Sequence, residues 1–218
     1  MTQILFPNPG RRRGATVPPA AGSPSPLDFH RRLPGYEPTP LREVPSLAAD
    51  LGLSRLWVKD ESSRLGLPAF KMLGASWATY RLLLARLAAL GFDEPDWTTI
   101  DELRRALEPL GALTLVAATD GNHGRAVARM ARLVGYGARI FMPAGTVHAR
   151  IEGIESEGAT VTVVDGTYDD AVRASVAEAA DDVLVVSDTS WEGYTEVPRW
   201  VIDGYDTIFR EVDEQLAG

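Results

Sequence analysis

The chain has 218 residues, 45% hydrophobic and 24% charged, with a net charge of -8; this is a globular composition, long enough for one large domain or two small ones, and its acidity argues against nucleic acid or an anionic membrane as a partner. Cysteine is absent, which excludes disulfides, thiolate catalysis and Cys-based metal sites, and His30, His123 and His148 are too scattered to form a zinc site. No apolar run reaches membrane-spanning length and the start of the chain lacks a signal-peptide pattern, so a cytoplasmic enzyme or binding protein is the default expectation.

Residues 1 to 45 hold ten of the fifteen prolines, with Arg11-Arg12-Arg13 and Ser23-Pro-Ser-Pro26 among them. This segment reads as extended, tied down at most by short strands, and the arginine triplet as a solvated patch. A short helix over Ser46–Leu51, closed by Gly52, leads to a strand over Ser54–Val58. The next stretch, Lys59 to Gly74, is too polar and glycine-interrupted for a strand. Gly74 is expected to precede a long helix over residues 75–90, ended by Gly91, with Trp77, Tyr80, Leu83, Leu84 and Leu87 on its core face.

Lys71 thus falls at the approach to a helix N-terminus, where the dipole repels a cation. From position alone two readings stand for Lys71. It is a solvent-facing side chain, or a nucleophile whose amine pKa that same field lowers. Thr99-Ile-Asp-Glu102 has the pattern of a capping box and opens a helix of about two turns that stops at Pro109.

From Ala112 the pattern becomes regular. Strands are expected over residues 112–118, 138–142, 160–164 and 183–187. They alternate with helices over 124–135, 146–157 and 168–181, the last opened by Thr167. Short Val-rich strands suit burial on both faces. The fold class is therefore α/β, an open parallel sheet of about four strands with helices on both faces, joined by right-handed crossovers.

The first of these strands ends in Thr119-Asp120-Gly121-Asn122-His123-Gly124, and Val127, Met130, Ala131 and Val134 line one face of the helix that follows. Free N–H groups and the positive end of the dipole point outward at such a junction, and glycines admit a ligand close to the backbone. The turn is either an ordinary strand-to-helix connection or a ligand-binding one. Asp188 follows the last strand, so one sheet edge gathers Asp120, Asn122, His123 and Asp188. Asp188-Thr-Ser-Trp191-Glu-Gly-Tyr194 closes the sheet, and a single helix is expected from Pro198 to Leu216.

Phe70-Lys71 in its Gly-flanked segment, followed by Thr119-Asp-Gly-Asn-His-Gly124, resembles the β-family (fold type II) of pyridoxal-phosphate enzymes. Together with Asp60-Glu-Ser, Met142-Pro143, Tyr168-Asp-Asp and Asp188 to Tyr194, these motifs are similar to the diaminopropionate ammonia-lyase branch. Serine/threonine dehydratases and cysteine synthases usually carry Ser in place of Asp120 and lack the Asp188 loop. The resemblance runs from about Tyr36 to the C-terminus.

It implies pyridoxal phosphate as cofactor, held by Lys71 as a Schiff base, with Asn122 on its phenolic oxygen. Thr119, Asp120, Gly121 and His123, with Asp188 and Tyr194, would bind a small amino-acid substrate. Lys71, Asp120 and Asp188 would be catalytic. Asp120 would be the base for the stereoisomer whose proton faces away from Lys71. The implied reaction is α,β-elimination of ammonia from 2,3-diaminopropionate, giving pyruvate, and no metal is implied. The alternative within the family is another deamination, of the serine/threonine dehydratase type.

The resemblance also divides the chain. Residues 1–45 would be an extended N-terminal segment, 46–110 part of a large cofactor domain carrying the lysine, 111–190 the small α/β domain, and 191–218 a helix returning to the large domain. The family's second half carries a Gly-rich turn for the cofactor phosphate. After Asp188 the only glycines here are Gly193, Gly204 and Gly218, so the chain matches only the N-terminal part and is expected to bind the cofactor poorly alone. Three origins fit: a truncated lyase, one half of a split enzyme completed by a C-terminal half, or a non-catalytic binding domain. Apolar surface meant for the other half leads to an expected homo-oligomer.

Overall fold

In a computed structural model, which describes residues 25–217, the chain folds around a four-stranded sheet in the order β5-β4-β3-β6. The strands are β3 (Thr114–Ala118), β4 (Gly137–Pro143), β5 (Thr160–Val164) and β6 (Val183–Val185), all parallel. The arginine triplet at 11–13 lies outside the described residues.

Side chains alternate across the sheet, as the period of a strand requires. Leu115, Ala117, Ile140 and Met142 face a core built with α5 (Asn122–Val134), behind which lies α3 (Lys71–Ala89). Val116, Ala118 and Phe141 face α7 (Tyr168–Ala177) through Ala171. The two inner strands are thus buried on both faces. β5 departs from that expectation: Thr160, Thr162 and Val163 are exposed, because β5 is an edge strand with β4 as its one neighbour. The connection from β4 to β5 carries α6 (His148–Glu155). Capping boxes are present at Thr99, which opens α4 (Ile100–Ala106), and at Thr167, which opens α7.

Several boundaries differ from those read in the sequence. The proline-rich segment contains a helix, α1 (Pro26–Arg31), capped by Ser25, whose hydroxyl accepts the Asp28 N–H at 3.1 Å. Proline in the first turn starts a helix rather than preventing one. α1 buries Phe29, stacked on Tyr80 with ring centres 4.6 Å apart.

The long helix α3 begins at Lys71, so Gly74 lies inside it. There α8 (Glu196–Gly204) crosses with backbone against backbone. A Cβ on Gly74 would stand 2.7 Å from the Val201 carbonyl oxygen, and one on Gly204 2.6 Å from the Leu73 oxygen.

The last helix is two helices, α8 and α9 (Asp206–Ala217), separated at Tyr205. The Tyr205 N–H turns back to the Ile202 oxygen at 3.0 Å, closing α8 with a tighter bond where Gly204 seats on α3.

An antiparallel ribbon of β1 (Leu41–Glu43) and β2 (Trp57–Lys59), bridged by α2 (Pro45–Asp50), stands apart from the main sheet. The strand expected from Ser54 starts only at Trp57. α9 docks beside this ribbon through Glu211, which is fully buried. Its carboxylate accepts from Arg64 at 2.6 and 2.8 Å, from the Tyr36 hydroxyl at 2.8 Å and from the Thr39 N–H at 3.2 Å. The Lys59 ammonium lies 2.7 Å away. Burial alone would raise the Glu211 pKa, but these partners bring it down to about 2. Arg64, equally buried, also bonds Glu61 and Thr39, so both charges of the pair are satisfied.

Candidate active site

β3 and β6 are neighbours in the sheet, so the turn after β3 and the loop after β6 lie side by side at its carboxyl edge. That edge is where parallel sheets present ligand-binding groups. The turn is tightly built. The Thr119 hydroxyl, buried, accepts the Gly121 N–H at 2.9 Å. Gly121 has φ 155 and ψ -85, a conformation open to glycine. A Cβ on Gly124 would stand 2.3 Å from Thr119 Cγ2 and 2.7 Å from Ile140 Cγ2, so only glycine lets α5 lie this close to the sheet.

The loop after β6 is held from below by Tyr194. Its hydroxyl donates to the Val185 oxygen at 2.8 Å and accepts the Ser187 N–H at 3.1 Å, and its ring stacks on Trp191. Asp188 stands at the top of this loop.

Lys71, the first residue of α3, meets Asp188 there. Its Nζ donates to Asp188 Oδ2 at 2.8 Å, and the two side chains are 30% and 17% exposed. The pair overturns the expectation that the helix terminus lowers the lysine pKa. Burial does work to lower it, but the bond to Asp188, with Tyr205 adding to it, leaves the amine raised. A carboxylate at hydrogen-bond distance outweighs a partial dipole charge. Asp188 moves the opposite way. Burial would raise it, and the Lys71 ammonium bonded to it helps hold it below the usual carboxylate range.

His123 completes the group. Its Nε2 donates to the Val186 oxygen at 2.8 Å, so in the neutral ring Nδ1 carries no proton. Nδ1 is buried, has no hydrogen-bond partner and lies 3.7 Å from Asp188 Oδ2. Burial in the main lowers the His123 pKa, the direction that favours the neutral ring.

The structure therefore brings Lys71, Asp188 and His123 together. It places Asp120 elsewhere: that side chain is 79% exposed, with Arg150 Nη1 3.8 Å from its carboxylate and 2.7 Å from its backbone oxygen. Asn122 is exposed at the start of α5. Thr119 and Tyr194 engage backbone groups of their own loops.

The sequence reading missed Tyr205, whose ring centre lies 5.9 Å from Lys71 Nζ and whose hydroxyl is buried without a partner. Its spacing in an apolar helical run carries no signal beyond that of a core residue. Arg150 was missed for a different reason: it is one of many surface arginines until the fold sets it beside Gly121. Among the described residues there is no group of three or more His, Asp or Glu that could hold a metal. Among them, no helix is long and apolar enough to cross a membrane.

The family model described as "Pyridoxal-phosphate dependent enzyme" matches residues 32–218. The chain belongs to this family. It is 40% identical over 189 residues to diaminopropionate ammonia-lyase of Escherichia coli, covering 86% of this chain and 46% of that protein. Identity to the enzyme of the same description from Salmonella typhimurium is 42% over 197 residues, covering 88% and 47%. The crystal structure of the Escherichia coli enzyme in complex with an aminoacrylate–PLP azomethine reaction intermediate superposes with a TM-score of 0.75 at 39% identity, over 88% of this chain and 47% of that one. The chain thus spans about half the length of the curated relatives it matches.

The family's cofactor is pyridoxal phosphate, and the residues present fit its reactive end. Lys71 offers a half-buried primary amine beside a carboxylate, His123 Nδ1 is an acceptor with no partner, and Asn122 presents a free amide at a helix N-terminus. A glycine-rich phosphate turn has no counterpart after Asp188.

Proposed function

We propose that this chain carries the lysine-bearing half of an ammonia-lyase site that acts on 2,3-diaminopropionate. The observation that carries the reading is Asp188, bonded to the Lys71 amine at 2.8 Å and flanked by His123, whose unpartnered Nδ1 lies 3.7 Å from the same carboxylate oxygen. A substrate with two ammonium groups brings the donors that such a pair lacks. The net charge of -8 favours its approach.

In this reading Lys71 would hold the cofactor before a substrate arrives and, as a free amine afterwards, would take the proton from Cα. Asp188 and His123 hold an amino group of the substrate. The N–H groups that open α5, between Thr119 and His123, hold its carboxylate. Asn122 orients the cofactor, Tyr194 fixes the loop that aims Asp188, and Asp120 serves the opposite stereoisomer by turning in from Arg150. When bound, pyridoxal phosphate supplies an electron sink for the pair left on Cα. Loss of ammonia from Cβ follows, and water converts the eliminated product to pyruvate and a second ammonia. The partner in this reading is a polypeptide supplying the second half of the family fold, as a continuation or a separate chain.

The test is reduction with borohydride after mixing the chain with pyridoxal phosphate, followed by peptide mapping. A single adduct on Lys71 is expected. Labelling of the N-terminus or of Lys59, with none on Lys71, would overturn the reading. Adding the C-terminal half of a relative should then produce turnover of diaminopropionate and none of serine. Turnover of serine alone would favour a dehydratase-type site.

A further inference from the structure

Tyr205 stands where the fold interrupts itself. The apolar pattern of α8 and α9 runs through position 205, yet the helix breaks there. The break turns the ring onto the first turn of α3. It packs edge-on against Phe70, ring centres 5.0 Å apart at 73°. On the other side its Cε1 fills the space a Cβ on Gly74 would need, 2.6 Å from that position. A ring seated this closely has little freedom, and its hydroxyl is sealed from water with no hydrogen-bond partner. A buried hydroxyl in that state costs stability, and phenylalanine would pack equally well. The cation that acts on this hydroxyl is the Lys71 amine, 5.9 Å from the ring centre and bonded to Asp188 at 2.8 Å.

We propose that the Tyr205 hydroxyl is a positioning group for Lys71, the second seat its amine takes when Asp188 turns to a ligand. The inference rests on the reading of Lys71 as the working amine. The substrate-binding role given to Asp188 requires that carboxylate to exchange Lys71 for a substrate ammonium. The released amine, on a side chain that is 30% exposed, then has water or one remaining side-chain acceptor to turn to. Rotation of the flexible lysine stem carries it to Tyr205, still over the Phe70 and Tyr205 rings, 5.6 and 5.9 Å from their centres. The titratable groups around it are Asp188 from the loop after β6, His123 from α5, Tyr168 from α7 and Tyr205 itself. Of these, Tyr205 is the one with a free acceptor that no other role claims.

The experiment is site-resolved acetylation of Lys71 across pH, read by peptide mass, on the full chain. The proteins are the parent, Tyr205→Phe, Asp188→Asn and the double variant. With Asp188 in place Tyr205→Phe should move the Lys71 titration midpoint little, because Asp188 holds the amine. In the Asp188→Asn background, where Tyr205 is the remaining partner, it should lower the midpoint by roughly half to one pH unit, one hydrogen bond's worth. The melting temperature of Tyr205→Phe in the parent background should hold or rise, because an unpartnered hydroxyl is gone. An equal midpoint in Asp188→Asn and the double variant would overturn the proposal. Borohydride labelling of the same proteins separates the two ideas. Absence of a Lys71 adduct in the parent counts against the functional reading. An adduct there with no midpoint difference between Asp188→Asn and the double variant counts against Tyr205 alone.

Discussion

At the scale of single residues, the buried pair of Arg64 and Glu211 sets the sharpest expectations. Glu211→Ala leaves the Arg64 guanidinium buried beside one carboxylate instead of two, and should cost about 3–5 kcal/mol in urea unfolding. The pH dependence follows from the depressed pKa, about 2 in the fold against an ordinary 4.5. The Glu211 contribution is complete above the unfolded value and drains away as pH falls from about 4.5 toward 2. Unfolding curves at pH 7 and pH 3 should differ in the parent, and the difference should shrink in Glu211→Ala. Asp120 makes a separate prediction in a reconstituted enzyme: Asp120→Ala should abolish turnover of one diaminopropionate isomer and spare the other. Equal loss of both would remove its assigned role. The motif residues were legible because a carboxylate, an amide and an imidazole within four residues of one glycine-bearing turn are rare company. Arg64 and Glu211 were not legible, since partners 147 positions apart leave no local pattern.

At the scale of elements, the junction of β3 and α5 is limited by space rather than by hydrogen bonding. Gly124→Ala must push α5 off the sheet by the width of a methyl group, against Thr119 and Ile140. Overpacking of that kind costs about 1–3 kcal/mol. It should also disturb the Lys71 titration, because His123 moves with the helix. By contrast Thr99→Ala removes a cap far from this edge. It should cost about 1 kcal/mol in thermal unfolding and leave Lys71 chemistry untouched. The sheet elements were readable from apolar period and glycine stops. The breaks were harder. α1 hid behind prolines, although Ser25-Pro26 is a start signal once the cap is considered. The division of α8 from α9 is written in a tertiary crossing, Gly204 on α3, and not in the local sequence.

At the scale of the whole molecule, apolar groups remain on two faces. Ile202, Phe209 and Leu216, spaced by seven along α8 and α9, are exposed, as are Leu47, Leu51, Leu53 and Val58 around the ribbon. Surface of this kind favours association. Phe209→Glu combined with Ile202→Glu should lower the apparent mass in light scattering at high concentration and leave the circular dichroism unchanged. A parent that stays monomeric throughout would contradict the expectation. Titration with pyridoxal phosphate should show weak binding by the chain alone, tightened by a complementary half that brings a phosphate turn. The sequence allowed this much through its glycine count after Asp188, but it could not show which surfaces would be left bare.

The Arg64–Glu211 contact has a further consequence, for the order in which the molecule is made. A ribosome adding about 5–20 residues per second reaches position 211 roughly 7–30 s after position 64. Until then the lysine-bearing segment has an arginine that must sit in the interior and no glutamate to receive it. The four-stranded sheet can close during that wait, since β6, the last of its strands to emerge and the partner of β3, ends at Val185, before α9. The ribbon and the start of α3 cannot settle until α9 arrives. Assembly of the Lys71 pocket therefore follows that of the sheet, and a nascent chain stalled before α9 would hold a formed sheet and an unformed site.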